Sequence, residues 1–166
     1  TPIESIESEQ PLMVERYGFV PNTGGAGKFR GGLGIEREFR LLAEDATFQL
    51  RSDRSDFTPW GVQGGKPGTP TENYLNPGTD QEEKLPGKTL RQLKKGDLYR
   101  VVQAGAGGFG NPLERDMFAV ADDVEQEKLS VDYVRREYGV VINPKNSALD
   151  IPATEKLRAE MQAASV

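Results

Sequence analysis

Apolar and polar residues alternate with period two in two neighbouring stretches. In 35–41, Ile35, Phe39 and Leu41 share one parity and Glu36, Glu38 and Arg40 the other, with Arg37 interrupting the apolar face. In 46–51, Ala46, Phe48 and Leu50 alternate with Thr47, Gln49 and Arg51. This period predicts two half-buried strands. Ala43-Glu44-Asp45 between them has the length of a hairpin turn, so the two are expected to pair antiparallel. A third strand is expected over 98–102, after Leu90, Leu93 and a basic turn ending at Gly96-Asp97. Residues 1–20 read as an extended lead-in in which Leu12 to Tyr17 suits a short strand or one helical turn.

The period changes after residue 110. Asn111 or Asp116 is a candidate cap for a helix reaching about Glu127, with Phe118, Val120, Ala121 and Val124 as its apolar side. Ser130 is a strong N-cap for 131–138 and Gly139 a strong stop. Val140-Val141-Ile142 suggests a short strand. Pro144 and Pro152 bound a linker, and Thr154 is placed as the cap of a last helix over 155–164, with Leu157 and Met161 at i,i+4. The expected fold class is therefore α+β: mostly antiparallel β with long Gly/Pro-rich loops, followed by C-terminal helices. Residues 1–142 form the main region and 143–166 a linker and C-terminal helix.

Between these elements lie two glycine loops, 22–34 and 104–110, and a long Gly/Pro-rich stretch, 52–88. The 166 residues include 19 Gly and 11 Pro, which describes a loop-rich chain. Such glycines cost about 1 kcal/mol each in a helix interior and instead mark unusual dihedrals or close backbone approach. Trp60, in the long stretch, is expected to plug the edge of a core.

Charge and chemistry narrow the function. The formal net charge is −5, so nucleic acid and anionic lipid are not expected partners. No apolar run approaches a membrane span and no signal peptide opens the chain, so the cytoplasm is the expected compartment. Thr1 opens the sequence, which leaves a processed product, a fragment or a single domain open. The chain has no Cys and no His. That excludes disulfides, Cys nucleophiles and Ser-His-Asp arrangements, and it leaves only oxygen ligands for a metal. Gly105-Ala106-Gly107-Gly108-Phe109-Gly110 fits the spacing of a dinucleotide fingerprint but is rejected: Pro112 follows it, and the region where an acid should end a second strand reads as helix. Gly27-Lys28 lacks the Gly and Ser/Thr of a phosphate loop. Asp122, Asp123, Glu125 and Glu127 read as a solvated acidic face, and Lys94-Lys95 as part of a turn.

Four blocks in order carry a more specific signal. They are Thr1-Pro2-Ile3-Glu4 with Asn22-Thr23-Gly24-Gly25-Ala26-Gly27-Lys28-Phe29-Arg30-Gly31-Gly32-Leu33-Gly34; Pro59-Trp60-Gly61-Val62-Gln63-Gly64-Gly65; Gly107-Gly108-Phe109-Gly110-Asn111-Pro112-Leu113-Glu114-Arg115-Asp116; and Tyr138-Gly139-Val140-Val141. Together they resemble the C-terminal region of hydantoinase B/5-oxoprolinase subunits, to which acetone and acetophenone carboxylase subunits are related. The resemblance covers residues 1–142. Ala104-Gly105-Ala106 departs from a Pro-Gly-Gly run, and Asn111 stands where Asp is common.

The resemblance implies a C-terminal segment or small subunit of an ATP-dependent cyclic-amide hydrolase, inactive in isolation. The alternatives are a piece of an ATP-dependent ketone carboxylase and a non-catalytic assembly module. The implied partners are the N-terminal part of the hydantoinase B-like subunit and a hydantoinase A-like subunit. No cofactor is expected on this chain alone; ATP and a divalent metal are expected on other parts of the complex. No catalytic or metal-binding residue is carried over. Gly24, Gly25, Gly27, Arg30, Gly31, Gly32, Gly107, Gly108 and Arg115 are the candidate interface or active-site wall, with structural ion pairing as the alternative role of the two arginines.

Overall fold

The computed structural model describes residues 2–143 and 146–164. The chain passes repeatedly between two compact units. The first holds Thr1–Phe19, Ile35–Thr58 and Pro70–Ala104; the second holds Val20–Gly34, Pro59–Thr69 and Gly105–Val166.

The first unit is all strands apart from one short helix, α1 (Ile3–Glu9). Its strands are β1 (Leu12–Phe19), β2 (Ile35–Leu41), β3 (Asp45–Arg51), β4 (Glu72–Leu75), β5 (Glu83–Lys84), β6 (Lys88–Lys94) and β7 (Leu98–Val102). They form a five-stranded sheet, β1-β2-β7-β4-β5, and a two-stranded sheet, β3-β6, with every pair antiparallel. The lead-in is thus partly helical rather than extended. At seven residues α1 is too short to show a period, and none of its residues is buried. Glu7 fastens it to β1 by accepting from the Val14 N–H at 2.8 Å.

β2 and β3 occupy the segments that alternation marks, but they do not form a hairpin. β2 pairs with β1 and β7, whereas β3 pairs with β6 across Ala46–Leu93 and Leu50–Thr89. The reason is that each strand has one apolar face. Setting the strands in opposed sheets lets Leu41, Leu50 and Leu93 become buried and brings the Phe48 and Tyr99 rings to 4.7 Å. Arg37, which breaks the apolar pattern, lies over the Tyr17 ring at 4.5 Å and donates to its hydroxyl. β4 and β5 lie inside the stretch expected to be loop. They are too short and polar to show a period, and buried Asn73 anchors β4 by accepting from Tyr99 Oη at 2.8 Å.

Burial pushes the Tyr99 hydroxyl up to about 12, from an unfolded value near 10. A raised pKa means the folded state favours the neutral form. The stabilisation is complete below pH ~10 and is lost as pH rises towards ~12. The expected result is that the stability difference between wild type and Tyr99→Phe shrinks steadily over that window in urea titrations. A constant difference would contradict the assignment.

The second unit carries α2 (Met117–Glu125), α3 (Val131–Tyr138) and α4 (Ile151–Ala163), preceded by a 3-10 turn, Pro112–Glu114. Asn111 caps the turn and Asp116 caps α2, so both candidate caps are used. Ser130 caps α3, and Gly139 ends it with φ +61°. α4 starts earlier than its apolar pair suggests: Asp150 is the N-cap and Pro152 sits in the first turn, where its missing N–H costs nothing. Thr154 is buried inside α4 and accepts from Val141 N–H at 3.0 Å. Residues 140–142 make no strand beyond one bridge, Ile142 to Leu149. Pro144 lies outside the described residues. The core is Ala26, Val120, Leu129, Val134, Tyr138, Val140 and Ile142. Among the described residues no helix is long and apolar enough to cross a membrane.

Candidate functional site

The two glycine loops, with residues 59–69, come together in the second unit as a bundle held backbone to backbone. Gly25 N–H donates to Ala106 O at 2.8 Å and Ala106 N–H to Gly32 O at 2.9 Å. Lys66 N–H donates to Ala26 O at 2.7 Å, and Gly108 N–H to Lys66 O at 2.9 Å. Phe29 and Phe109 exchange both backbone bonds, and Gly110 N–H donates to Val62 O. Segments this close leave no room for side chains. A Cβ at Gly24 would strike the Gly31 carbonyl, at Gly25 that of Lys66, at Gly31 that of Ala106, and at Gly107 that of Trp60. Gly27 abuts the Phe109 backbone and Gly108 the Ala26 carbonyl. Gly32 is the exception: a methyl group there would meet no atom within 4 Å.

This packing explains why the 105–110 loop is not a nucleotide cradle. A phosphate site needs free backbone N–H groups. Here those of Ala106, Gly108, Phe109 and Gly110 all donate to carbonyls of the other two segments. These four N–H groups are therefore turned to protein carbonyls rather than to a phosphate, and Lys28 is engaged with Glu114 at 3.3 Å. In the first unit Lys94 ends β6 and Lys95 opens the turn after it, closed by Lys94 N–H to Asp97 and by Lys95 to Glu44. Among the described residues no cluster of three or more acids can hold a metal ion.

Arg30 and Arg115 converge on one carboxylate. Arg30 donates to Asp123 through Nε at 3.1 Å and Nη2 at 3.2 Å, and Arg115 Nη2 donates to it at 3.0 Å. Each arginine also holds a loop carbonyl: Arg30 Nη1 donates to Gly31 O at 2.8 Å and Arg115 Nη1 to Lys28 O at 3.2 Å. The triad therefore locks the first glycine loop onto α2. Asp123 is buried, which corrects the reading of 122–127 as one solvated face. The signal was present in the sequence. Asp123 lies three residues after Val120 and so shares its inward side, while Asp122 and Glu125 are exposed.

Other ties were not legible from local pattern. Asn22, held at φ +63°, accepts from Ser130 N–H at 2.8 Å and donates to Ser130 Oγ at 3.0 Å. Tyr133 Oη donates to Gly24 O at 3.1 Å. Arg158 reaches from α4 to the Tyr138 and Arg115 carbonyls at 3.0 and 2.9 Å, and its burial lowers its pKa. Burial likewise pushes the Tyr138 hydroxyl up to about 12. Trp60 does not plug a core: it is exposed, while its carbonyl packs against Gly107. The arrangement joins three backbone segments and fastens the first of them to α2 through Arg30, Arg115 and Asp123.

The family profile described as Hydantoinase B/oxoprolinase matches residues 1–112. The chain is 35% identical over 162 residues to the B subunit of a putative D-/L-hydantoinase from a Pseudomonas species, covering 95% of this chain and 26% of that protein. It is 32% identical over 164 residues to the beta subunit of the caprolactamase from Pseudomonas jessenii, covering 95% of this chain and 28% of that protein. The crystal structure of the ATP-dependent caprolactamase from that organism superposes with a TM-score of 0.80 at 31% identity, over 95% of this chain and 28% of that one. A nucleotide-free acetone carboxylase superposes with a TM-score of 0.86 over 99% of this chain and 26% of that one, and at 24% identity this is a likeness of fold. The chain thus spans little more than a quarter of the length of these proteins.

Proposed function

Because the chain belongs to the hydantoinase B/oxoprolinase family, we propose that it serves as the C-terminal segment or small subunit of an ATP-dependent cyclic-amide hydrolase. The observation that carries this reading is the match to the caprolactamase, which extends over 95% of the chain in both sequence and structure. Its partners in this reading are the rest of the B-type subunit and a hydantoinase A-like subunit, with ATP and a divalent metal held there. The chemistry of this chain supports that division. Opening an amide needs an activated nucleophile and a proton shuttle near neutral pH. This chain has no His or Cys, and Arg30, Arg115 and Asp123 are spent on one another. Its own part is structural: the glycine bundle, locked by Arg30 and Arg115, sets the shape of an active-site wall.

The test is to assemble the chain with both partners and follow ATP turnover. Ring opening of hydantoin or 5-oxoproline in step with ATP hydrolysis, absent from the isolated chain, is the expected result. Bicarbonate-dependent carboxylation of acetone or acetophenone would move the chain to the ketone carboxylases. A stable assembly with neither activity would make it an assembly module.

A further inference from the structure

Three large apolar side chains stand on the glycine bundle and face solvent. Phe109 is bridged antiparallel to Phe29 on one side and parallel to Val62 on the other. Residues directly opposite in such ladders project to the same side. The Phe29 and Phe109 ring centroids are 6.2 Å apart. Yet Phe29 is 63% exposed, Val62 47% and Phe109 43%. A scattered surface apolar residue needs no explanation, but a contiguous group does.

The support under this group is stiff. Phe29 and Phe109 exchange two backbone bonds, and Val62 N–H donates to Gly108 O at 2.9 Å. A Cβ at Gly27 or Gly65 would strike the Phe109 backbone, so the three segments sit as close as chains can. A backbone platform held this closely loses little further freedom on binding, which suits the support of an interface anchor. The Lys28–Glu114 ion pair lies beside it, half-exposed, as a polar rim does.

We infer that Phe29, Val62 and Phe109 form the docking surface for the rest of the hydantoinase B-type subunit, inserting into an apolar recess on that polypeptide. The inference rests on the proposed place of the chain in such a subunit. All three residues lie within the 1–112 region that matches the family. The relatives carry nearly three-quarters of their length outside the matched part, a body large enough to cover the patch.

The experiment titrates the 166-residue chain against the remainder of the B-type subunit from the same source, expressed separately, by calorimetry. The Phe29→Ser/Phe109→Ser double variant is expected to bind at least tenfold more weakly. Val62→Asp provides a second disruption of the same surface should the double variant not fold. Phe57→Ser, at an exposed position in the first unit, is expected to bind as wild type does. No binding by wild type would overturn the place in the subunit. Wild-type binding that patch variants retain would overturn the surface alone. A loss of self-association in the variants, with binding to the remainder unchanged, would assign the patch to a second copy and overturn the inference.

Discussion

Gly31→Ala is expected to cost the second unit about 3 kcal/mol or more, while Gly32→Ala leaves its stability within about 1 kcal/mol of wild type. The two glycines are adjacent, yet their surroundings are opposite. A methyl at Gly31 would enter the Ala106 carbonyl and crowd that of Gly107, both backbone groups with nowhere to turn. Ala106 is itself pinned, since its N–H donates to Gly32 O and its carbonyl accepts from Gly25 N–H. Relief would separate the two glycine loops and break those bonds. At Gly32 the same methyl meets nothing within 4 Å. There the substitution acts only on the unfolded chain, whose freedom it reduces, so a slight gain is the expected direction. Urea unfolding followed by circular dichroism checks both. Equal effects at the two positions would contradict the loop-on-loop packing.

Asp123→Ala is expected to destabilise the same unit by about 3 kcal/mol, because it leaves two part-buried guanidinium groups, each side chain 16% exposed, without their counter-charge. Arg30 and Arg115 each keep a carbonyl bond, to Gly31 and Lys28, but those bonds neutralise nothing. Asp122→Ala, one residue earlier and exposed, is expected to stay within about 0.5 kcal/mol of wild type. Breaking a buried pair differs from removing it altogether. The triple replacement Arg30→Met, Arg115→Met and Asp123→Leu is therefore expected to recover much of the loss. Denaturant midpoints for the four proteins decide the matter. A mild Asp123→Ala phenotype would mean that water or relaxation reaches the arginines.

Both expectations concern positions that sequence pattern groups wrongly. Gly31 and Gly32 read alike as members of one glycine loop, and Asp122 and Asp123 as one acidic face. What separates each pair is the identity of a partner about 75 or 93 residues away, counted along the chain from Gly31 to Ala106 and from Arg30 to Asp123. The helix phase of Asp123 was available from Val120. Its partner Arg30 was not, since nothing local in residues 22–34 says which helix that loop will meet.

The features legible in the sequence are local ones. Ser130 and Gly139 bound α3 because a cap hydroxyl and a left-handed stop act within a few residues of themselves. β7 is legible at 98–102 and the β2 and β3 segments from their alternation, because side-chain direction in a strand has a fixed period. The four blocks placed the family. Long-range packing set the rest: that β2 and β3 belong to different sheets and that three glycine-bearing segments share one bundle. Strand partners, buried ion pairs and backbone-on-backbone packing depend on which distant segments meet. That choice is settled by the burial of apolar faces and the pairing of buried polar groups over the whole unit, and neither leaves a repeat in the neighbouring residues.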